Sequence, residues 1–176
     1  GFFLTGTEEN APKTVLAPKE TGMNVSDFVD KNSKKFEELC KSLNISHDRF
    51  IRTTEKNHVK TSQEIFQNVF DNGDIYKGIY EGYYCTGCEA FLTEKELVNG
   101  KCPEHDKAPE WLKEESYFFK LSNYTNEITD LLKSRTFVIP ENYKNEMLSR
   151  VKEDGLKDIS VSRLHKEWGI PVPFDD

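Results

Sequence analysis

The sequence predicts an α/β chain interrupted by a small cysteine-rich module, and three observations carry that prediction. Helical and strand patterns alternate at both ends of the chain. Three of its four cysteines and one of its four histidines gather in YYCTGCEAFLTEKELVNGKCPEH, residues 83–105. The composition, 36% hydrophobic and 31% charged over 176 residues, suits one soluble domain or two small ones sharing an interface.

Taken in order, GFFLTGT reads as a short buried strand at 2–4 running into a Thr/Gly turn. With no initiator Met or lead-in element before it, this lone strand is expected to belong to a piece of a larger protein. Residues 8–22 are mixed, with Pro12 and Pro18 breaking any long helix. From Ser26 a helix is expected, capped by Asn24 or Ser26, with Phe28, Val29, Phe36, Leu39, Cys40 and Leu43 along one face. Cys40 on that stripe reads as a core cysteine rather than a reactive thiol. FIRTT at 50–54 is a short strand or turn. A second amphipathic helix carries Ile65, Phe66, Val69 and Phe70, and Asn72-Gly73 ends it.

IYKGIYEGYY at 75–84 is dense in aromatic and β-branched residues and reads as a strand, with Gly78 and Gly82 marking bends or bulges. Its tyrosines are read as core and sheet-face packing. Another strand is expected at 116–121. A helix of about ten residues follows from Asn123, with Ile128, Leu131 and Leu132 inward. Pro140-Glu141 opens a further helix carrying Met147, Leu148 and Val151, closed by Asp154-Gly155. DISVSR then reads as a strand and WGIPVPFDD as a Pro-rich loop.

Charge and hydropathy exclude several function classes. A net charge of -7 and a pI near 5.2 give no support for a polybasic nucleic-acid binder. No run of 18 apolar residues spans a membrane, and no basic and apolar leader opens the chain. A secreted disulfide scaffold would spread more cysteines along its length. The expected compartment is reducing, with the cytoplasm as default.

In the cysteine-rich stretch, Cys85 and Cys88 form a CxxC pair and, thirteen residues later, Cys102 and His105 form a CxxH. Two intervening residues let a chain turn back on one ion, and thiolate with imidazole suits the borderline softness of zinc. Thr86-Gly87 fits such a knuckle because glycine permits a positive φ, and Gly100 offers a second turn. Free cysteines beside a surface histidine would not need two matched spacings. A thioredoxin-like redox CxxC would not need the second pair. Three Cys and one His complete a tetrahedron, so the expected zinc is structural and not catalytic. Phe91, Leu92, Leu97 and Val98 are expected to form a small core beneath it.

Six blocks then resemble one family. They are FLTGT at 3–7, FIRTT at 50–54, GDIYKGIYEGYYC at 73–85, EESYFFKLS at 114–122, GLKDISVSR at 155–163 and WGIPVP at 168–173. In order and rough spacing along nearly all of the chain, these are similar to the methionyl-tRNA synthetases. The resemblance implies a class I Rossmann-type catalytic fold with an inserted zinc-knuckle module. It implies part of the Rossmann domain with a helical segment at 1–72, the connective insertion at 73–121, and a helical return with the start of the second Rossmann half at 122–176. It also implies the family's activity: methionine is activated by ATP, with Mg2+, to methionyl-adenylate and passed to the acceptor end of tRNA(Met).

The family's HIGH and KMSKS motifs are absent from this sequence, so the chain alone is expected to be silent, an excised middle of the enzyme. By resemblance Glu8 aligns with an Asp of the family's TGTDEHG that lines the methionine site, although here the segment reads TGTEENAPK. Arg163 of SVSR matches a family arginine near the active site, expected to stabilise phosphate charge. Trp168 is expected to pack, and Arg52 and His58 to serve the fold. A stand-alone zinc knuckle that binds RNA or protein is the alternative, but it would not need the flanking Rossmann blocks. A hydrolytic editing insertion would be larger than 73–121.

Overall fold

The computed structural model describes residues 1–88, 90–134, 136–163 and 168–175. The chain divides into two compact units, Gly1–Asn68 with Glu81–Glu114 and Leu164–Asp176, and Val69–Tyr80 with Glu115–Arg163.

The first unit begins with a parallel pair. Strand β1 (Leu4–Thr7) lies beside β2 (Arg49–Arg52), with Leu4 opposite Arg49 and Thr7 opposite Arg52. Parallel strands need a long crossover, supplied here by α1 (Pro12–Thr21) and α2 (Val25–Ser42). The ladder extends past both ends, where Asp48 N–H donates to the Phe3 carbonyl (2.8 Å) and Thr53 N–H to that of Thr7 (3.2 Å). Gly6 is obligatory for this pairing, because a Cβ there would lie 1.8 Å from the Ile51 carbonyl oxygen.

Several expectations are corrected here. The first strand is Leu4–Thr7, not 2–4, and it is not buried: Phe2, Phe3 and Leu4 are 72%, 53% and 50% exposed. The hydrogen-bonding register with β2 sets the strand, rather than the apolar run before it. Residues 12–21 are a helix. Pro12 sits in its first turn, where no N–H is needed, and the carbonyl of Pro18 receives the closing bond from Met23 (3.2 Å). In α2, Asn24 is the cap and accepts Asp27 N–H at 2.8 Å. Its packed face is Val29 and Ser33, whereas Phe36, Leu39 and Leu43 are exposed and Cys40 is half-buried, so Cys40 is no core cysteine. Helix α3 (Lys56–Asp71) carries Phe66 stacked on Phe174 at 5.6 Å, and Gln63 donates to the Pro171 carbonyl at 2.9 Å. The C-terminal loop is thereby tied to that helix.

Strand β3 (Ile75–Cys85) and β5 (Glu110–Phe119) each contribute to both units. With β4 (Ala90–Leu92) and β6 (Ile159–Ser160) they make a sheet ordered β4-β3-β5-β6. Strand β3 runs unbroken, and Gly78 leaves room for a ring: a Cβ there would press 3.2 Å from the Phe118 ring. That space lets Phe118 stack on Tyr76 (5.5 Å) and Tyr80 (5.8 Å), as the packing reading of the tyrosines requires.

In the second unit, the helices are α4 (Thr125–Lys133) and α5 (Glu141–Asp154). Leu132 is buried with Ile128 half-buried one turn earlier, while Leu131 faces out. In α5, Lys144, Leu148 and Val151 share the inner face and Met147 is exposed. Two carboxylates fasten the ends of this unit. Asp74 accepts the Tyr124 hydroxyl (2.7 Å), and Asp158 accepts the Tyr76 hydroxyl (3.0 Å) with the Ser122 N–H and hydroxyl (3.1 and 2.6 Å). Among the described residues, no helix is long and apolar enough to cross a membrane.

Gly6→Ala is expected to lower the unfolding free energy of the chain by about 3 kcal/mol or more, since backbone must move to admit the methyl. Asn24→Ala, which removes only a cap, is expected to cost about 1 kcal/mol. Urea unfolding followed by circular dichroism compares the two, and equal small losses would contradict the contact at Ile51.

Candidate functional site

The four donors of the cysteine-rich stretch converge. One ligand atom from each of Cys85, Cys88, Cys102 and His105 lies within 4.8 Å of the others, a grouping that could hold a metal ion. Two hairpins bring them together. In the first, β3 and β4 pair antiparallel with Tyr84 opposite Phe91 and Cys85 opposite Ala90, so the loop from 86 carries Cys88 back over Cys85. In the second, Val98 and Lys101 exchange both backbone hydrogen bonds (2.9 and 3.0 Å) around Asn99 and Gly100, which have φ of 52° and 75°. Two successive positive φ angles favour Asn-Gly, and the turn delivers Cys102. A tight loop follows, with Asp106 N–H on the Cys102 carbonyl (2.9 Å), Cys102 N–H on that of Lys107 (2.9 Å) and Asp106 at φ 48°.

The distances fit a tetrahedral ion. Metal–sulfur bonds of about 2.3 Å and metal–nitrogen bonds of about 2.0–2.1 Å put sulfurs about 3.8 Å apart and sulfur about 3.5 Å from nitrogen. Cys88 Sγ and Cys102 Sγ are 3.4 Å apart, and His105 Nδ1 lies 3.9, 3.3 and 3.8 Å from the sulfurs of Cys85, Cys88 and Cys102. Nδ1 is therefore the imidazole nitrogen that faces the cluster. Cys85 and Cys102 are buried, Cys88 is half-buried and His105 is exposed. The Cys88 N–H aimed at the Cys85 sulfur (3.5 Å) holds that thiol below the ordinary range, whereas the Cys102 sulfur pushes Cys88 up to about 12. Sulfurs this crowded become thiolates together only beside a cation.

Gly87 has a different role from the one expected. Its φ is not positive; a Cβ there would sit 2.4 Å from the His105 ring, so the absent side chain makes room for the imidazole. The core expected under the ion is also thin. Phe91, Leu92 and Leu97 are half-buried and Val98 is 58% exposed. Phe91 meets Tyr84 edge-on at 5.0 Å, and Tyr83 meets Trp111 edge-on at 4.9 Å.

A second constellation lies where β1 and β2 end. Glu9 is 3% exposed, and its carboxylate accepts Arg52 Nε (2.8 Å), Arg52 Nη2 (3.1 Å), the Thr7 hydroxyl (2.8 Å) and the Thr54 hydroxyl. Arg52 also reaches Asp30 of α2 at 2.6 Å, and Trp168 Nε1 donates to the Glu9 carbonyl at 2.8 Å. Burial alone would raise the Glu9 carboxyl, but the bonds from Arg52, Thr54 and Thr7 outweigh it and hold the group below the ordinary range. Glu8, the sequence-predicted substrate contact, is exposed beside this knot. It accepts the Asn10 N–H (2.6 Å) and the Thr53 hydroxyl (3.3 Å). Arg163 is exposed in the second unit and donates to the Ser160 hydroxyl (2.5 Å) and the Ser162 carbonyl (2.7 Å).

The family described as "tRNA synthetases class I (M)" matches residues 1–108 and 96–176. The chain belongs to this family. The methionine–tRNA ligases of Clostridium perfringens and Clostridium acetobutylicum are 47% and 45% identical over 176 residues, which is 99% of this chain and 27% of each relative. This chain thus spans about a quarter of the length of those relatives. A crystal structure of Mycobacterium tuberculosis methionyl-tRNA synthetase bound by methionyl-adenylate superposes with a TM-score of 0.87 at 38% identity, over 98% of this chain and 35% of that one.

The sequence pattern pointed to the four donors, and Arg52, expected to serve the fold, pairs with Glu9, a residue to which that pattern assigned no role. The one local signal was a run of hydroxyls, Thr5 and Thr7 in FLTGT and Thr53 and Thr54 in FIRTT, beside an acidic pair and an arginine. Their mutual contact needs the β1–β2 register.

Glu9 carries the pH prediction. Its folded pKa is depressed, so the stability it contributes is present above the ordinary glutamate value of about 4.3 and is lost as pH falls through the folded value. Arg52→Met, which leaves a buried carboxylate unpaired, is expected to cost about 3 kcal/mol at neutral pH. Glu9→Gln is expected to flatten the decline in stability below about pH 4.5. Urea titrations over a pH series check both, and an unchanged acid limb in Glu9→Gln would sink the assignment.

Proposed function

We propose that this chain is the zinc-knuckle-bearing stretch of a methionine–tRNA ligase, in which Cys85, Cys88, Cys102 and His105 hold one structural zinc. The observation that supports the reading is the convergence of four donors, with separations of 3.3–3.9 Å between His105 Nδ1 and the three sulfurs, within a chain that aligns to the family from end to end. Zinc supplies a fourfold crosslink there and, with every position taken by protein, no place for a reacting water. Residues 73–121 serve as the connective insertion between 1–72 and 122–176.

In the whole enzyme, ATP with Mg2+ activates methionine to the adenylate, and the aminoacyl group passes to the acceptor end of tRNA(Met). The relative solved with methionyl-adenylate supports this reading. Glu8 is the proposed partner of the methionine amino group. An exposed carboxylate whose Oε1 is held by the Asn10 N–H and the Thr53 hydroxyl is suited to an ammonium ion. Arg163, three residues beyond β6, is the proposed counter-charge to phosphate. The HIGH and KMSKS motifs that the family uses on ATP are absent from this sequence, so the chain by itself carries no adenylation step. The cytoplasm, where its tRNA and ATP would be found, is the proposed compartment.

Two measurements test this. Native mass spectrometry with metal analysis is expected to give one zinc per chain, lost on denaturation, and a well-folded metal-free chain would refute the knuckle. Methionine-dependent ATP–pyrophosphate exchange is expected to be undetectable, and measurable turnover would refute the assignment of ATP chemistry to the absent motifs. Gly87→Ala, which alters no donor, is expected to weaken zinc about tenfold or more by displacing the His105 ring. A chelator competition reads that change directly.

A further inference from the structure

We propose that Cys88 and Cys102 are also an oxidation site: a dithiol that a hydroperoxide converts to a disulfide across the two knuckle loops, releasing the metal. The inference rests on the zinc reading for its metal and on the geometry of the two sulfurs for its chemistry.

Cys88 Sγ and Cys102 Sγ lie 3.4 Å apart. A disulfide needs about 2.05 Å, so closure asks the sulfurs to approach by about 1.4 Å. The two sulfurs differ in access. Cys102 is 1% exposed and Cys85 3%, whereas Cys88 is half-buried and flanked by exposed Thr86 and exposed His105. A small oxidant arriving from solvent therefore meets Cys88 first. The Cys85 sulfur is shielded further, because it accepts the Cys88 N–H.

The steps balance. The Cys88 thiolate attacks one peroxide oxygen, forming an S–O bond as the O–O bond breaks, and the departing hydroxide takes a proton from solvent. The Cys102 thiolate then attacks the Cys88 sulfenic acid, forming the S–S bond as the S–O bond breaks, and a second hydroxide leaves and is protonated. Two thiolates lose two electrons and hydrogen peroxide, the hydroperoxide for which these steps are written, is reduced to two waters. Only Cys85 and His105 then remain as ligands, too few to retain zinc. Cys88 sits on the β3–β4 loop and Cys102 on the loop after the Asn99-Gly100 turn, so the disulfide joins the same two loops that the metal joined. Oxidation exchanges one crosslink for another.

The test uses zinc-loaded chain carrying Cys40→Ser, which removes the one cysteine outside the knuckle. Hydrogen peroxide is added, zinc release is read with a chromogenic chelator, and digests are sequenced by mass spectrometry. The expected result is zinc release in step with loss of two hydrogens per chain and fragment ions linking Cys88 to Cys102, all reversed by dithiothreitol and fresh zinc. Cys88→Ser is expected to abolish the linkage. A Cys85–Cys88 bridge within one knuckle, over-oxidised cysteines with no disulfide, or thiols that survive peroxide would each overturn the proposal. Should the chain take up no zinc, the metal reading fails by itself. The mapped disulfide then still decides this proposal.

Discussion

Between residues 81 and 109, the only buried side chains among the described residues are two of the four converging donors, Cys85 and Cys102. That constraint governs the whole module. Two hairpins with half-buried aromatics contribute edge-to-face contacts worth about 1 kcal/mol each. Ordering each residue of such loops costs a comparable amount. Contacts of that size do not outweigh the entropy of nearly thirty residues, whereas the proposed structural zinc would contribute on the order of 10 kcal/mol. The sulfurs are at once the buried core and the donors of the cluster, and Gly87, Asn99-Gly100 and Asp106 serve to aim four atoms at one point.

The first unit answers the same problem, too little apolar burial, with a polar knot. A carboxylate 3% exposed would be costly alone. Glu9 is held instead by both arms of Arg52 and two hydroxyls, and Arg52 is shared with Asp30 of α2. The knot fixes where β1 ends against β2. Through Trp168 it also fixes where the C-terminal loop begins, and Phe174 carries that loop onto α3. Exposed Phe36, Leu39 and Leu43 show how little of α2 contributes packing.

What the sequence made legible was local. Two spacings of two residues place donors on two loops, and geometry over so short a span leaves little choice. The same holds for the Asn24 cap and for the Gly100 turn. Glu9 with Arg52 was hidden because 43 residues separate them and the register of two four-residue strands decides whether they meet. Exposure failed for a related reason. An apolar stripe predicts that a helix has a packing face, and it does not say which half of the stripe finds a neighbour. Gly87 was recognised as special for the wrong cause, since a one-dimensional reading offers φ angles but not the ring that will lie above.

The departure from the family pattern at TGTEENAPK is locally self-consistent. Asn10 stands where the family has histidine, and its amide donates to the Thr53 hydroxyl (3.0 Å) and carbonyl (3.3 Å). The same hydroxyl accepts the Glu9 N–H at 2.8 Å and donates to Glu8 at 3.3 Å. One threonine from FIRTT thus organises three consecutive residues of the β1 loop, which ties two of the resembling blocks into a single hydrogen-bonded object. Glu8, one methylene longer than the aspartate it replaces, has its carboxylate drawn back toward Asn10 N–H at 2.6 Å. That contact absorbs the extra reach: a longer side chain whose tip is anchored at its own loop presents a carboxylate at the loop's surface, much as a shorter, free one would.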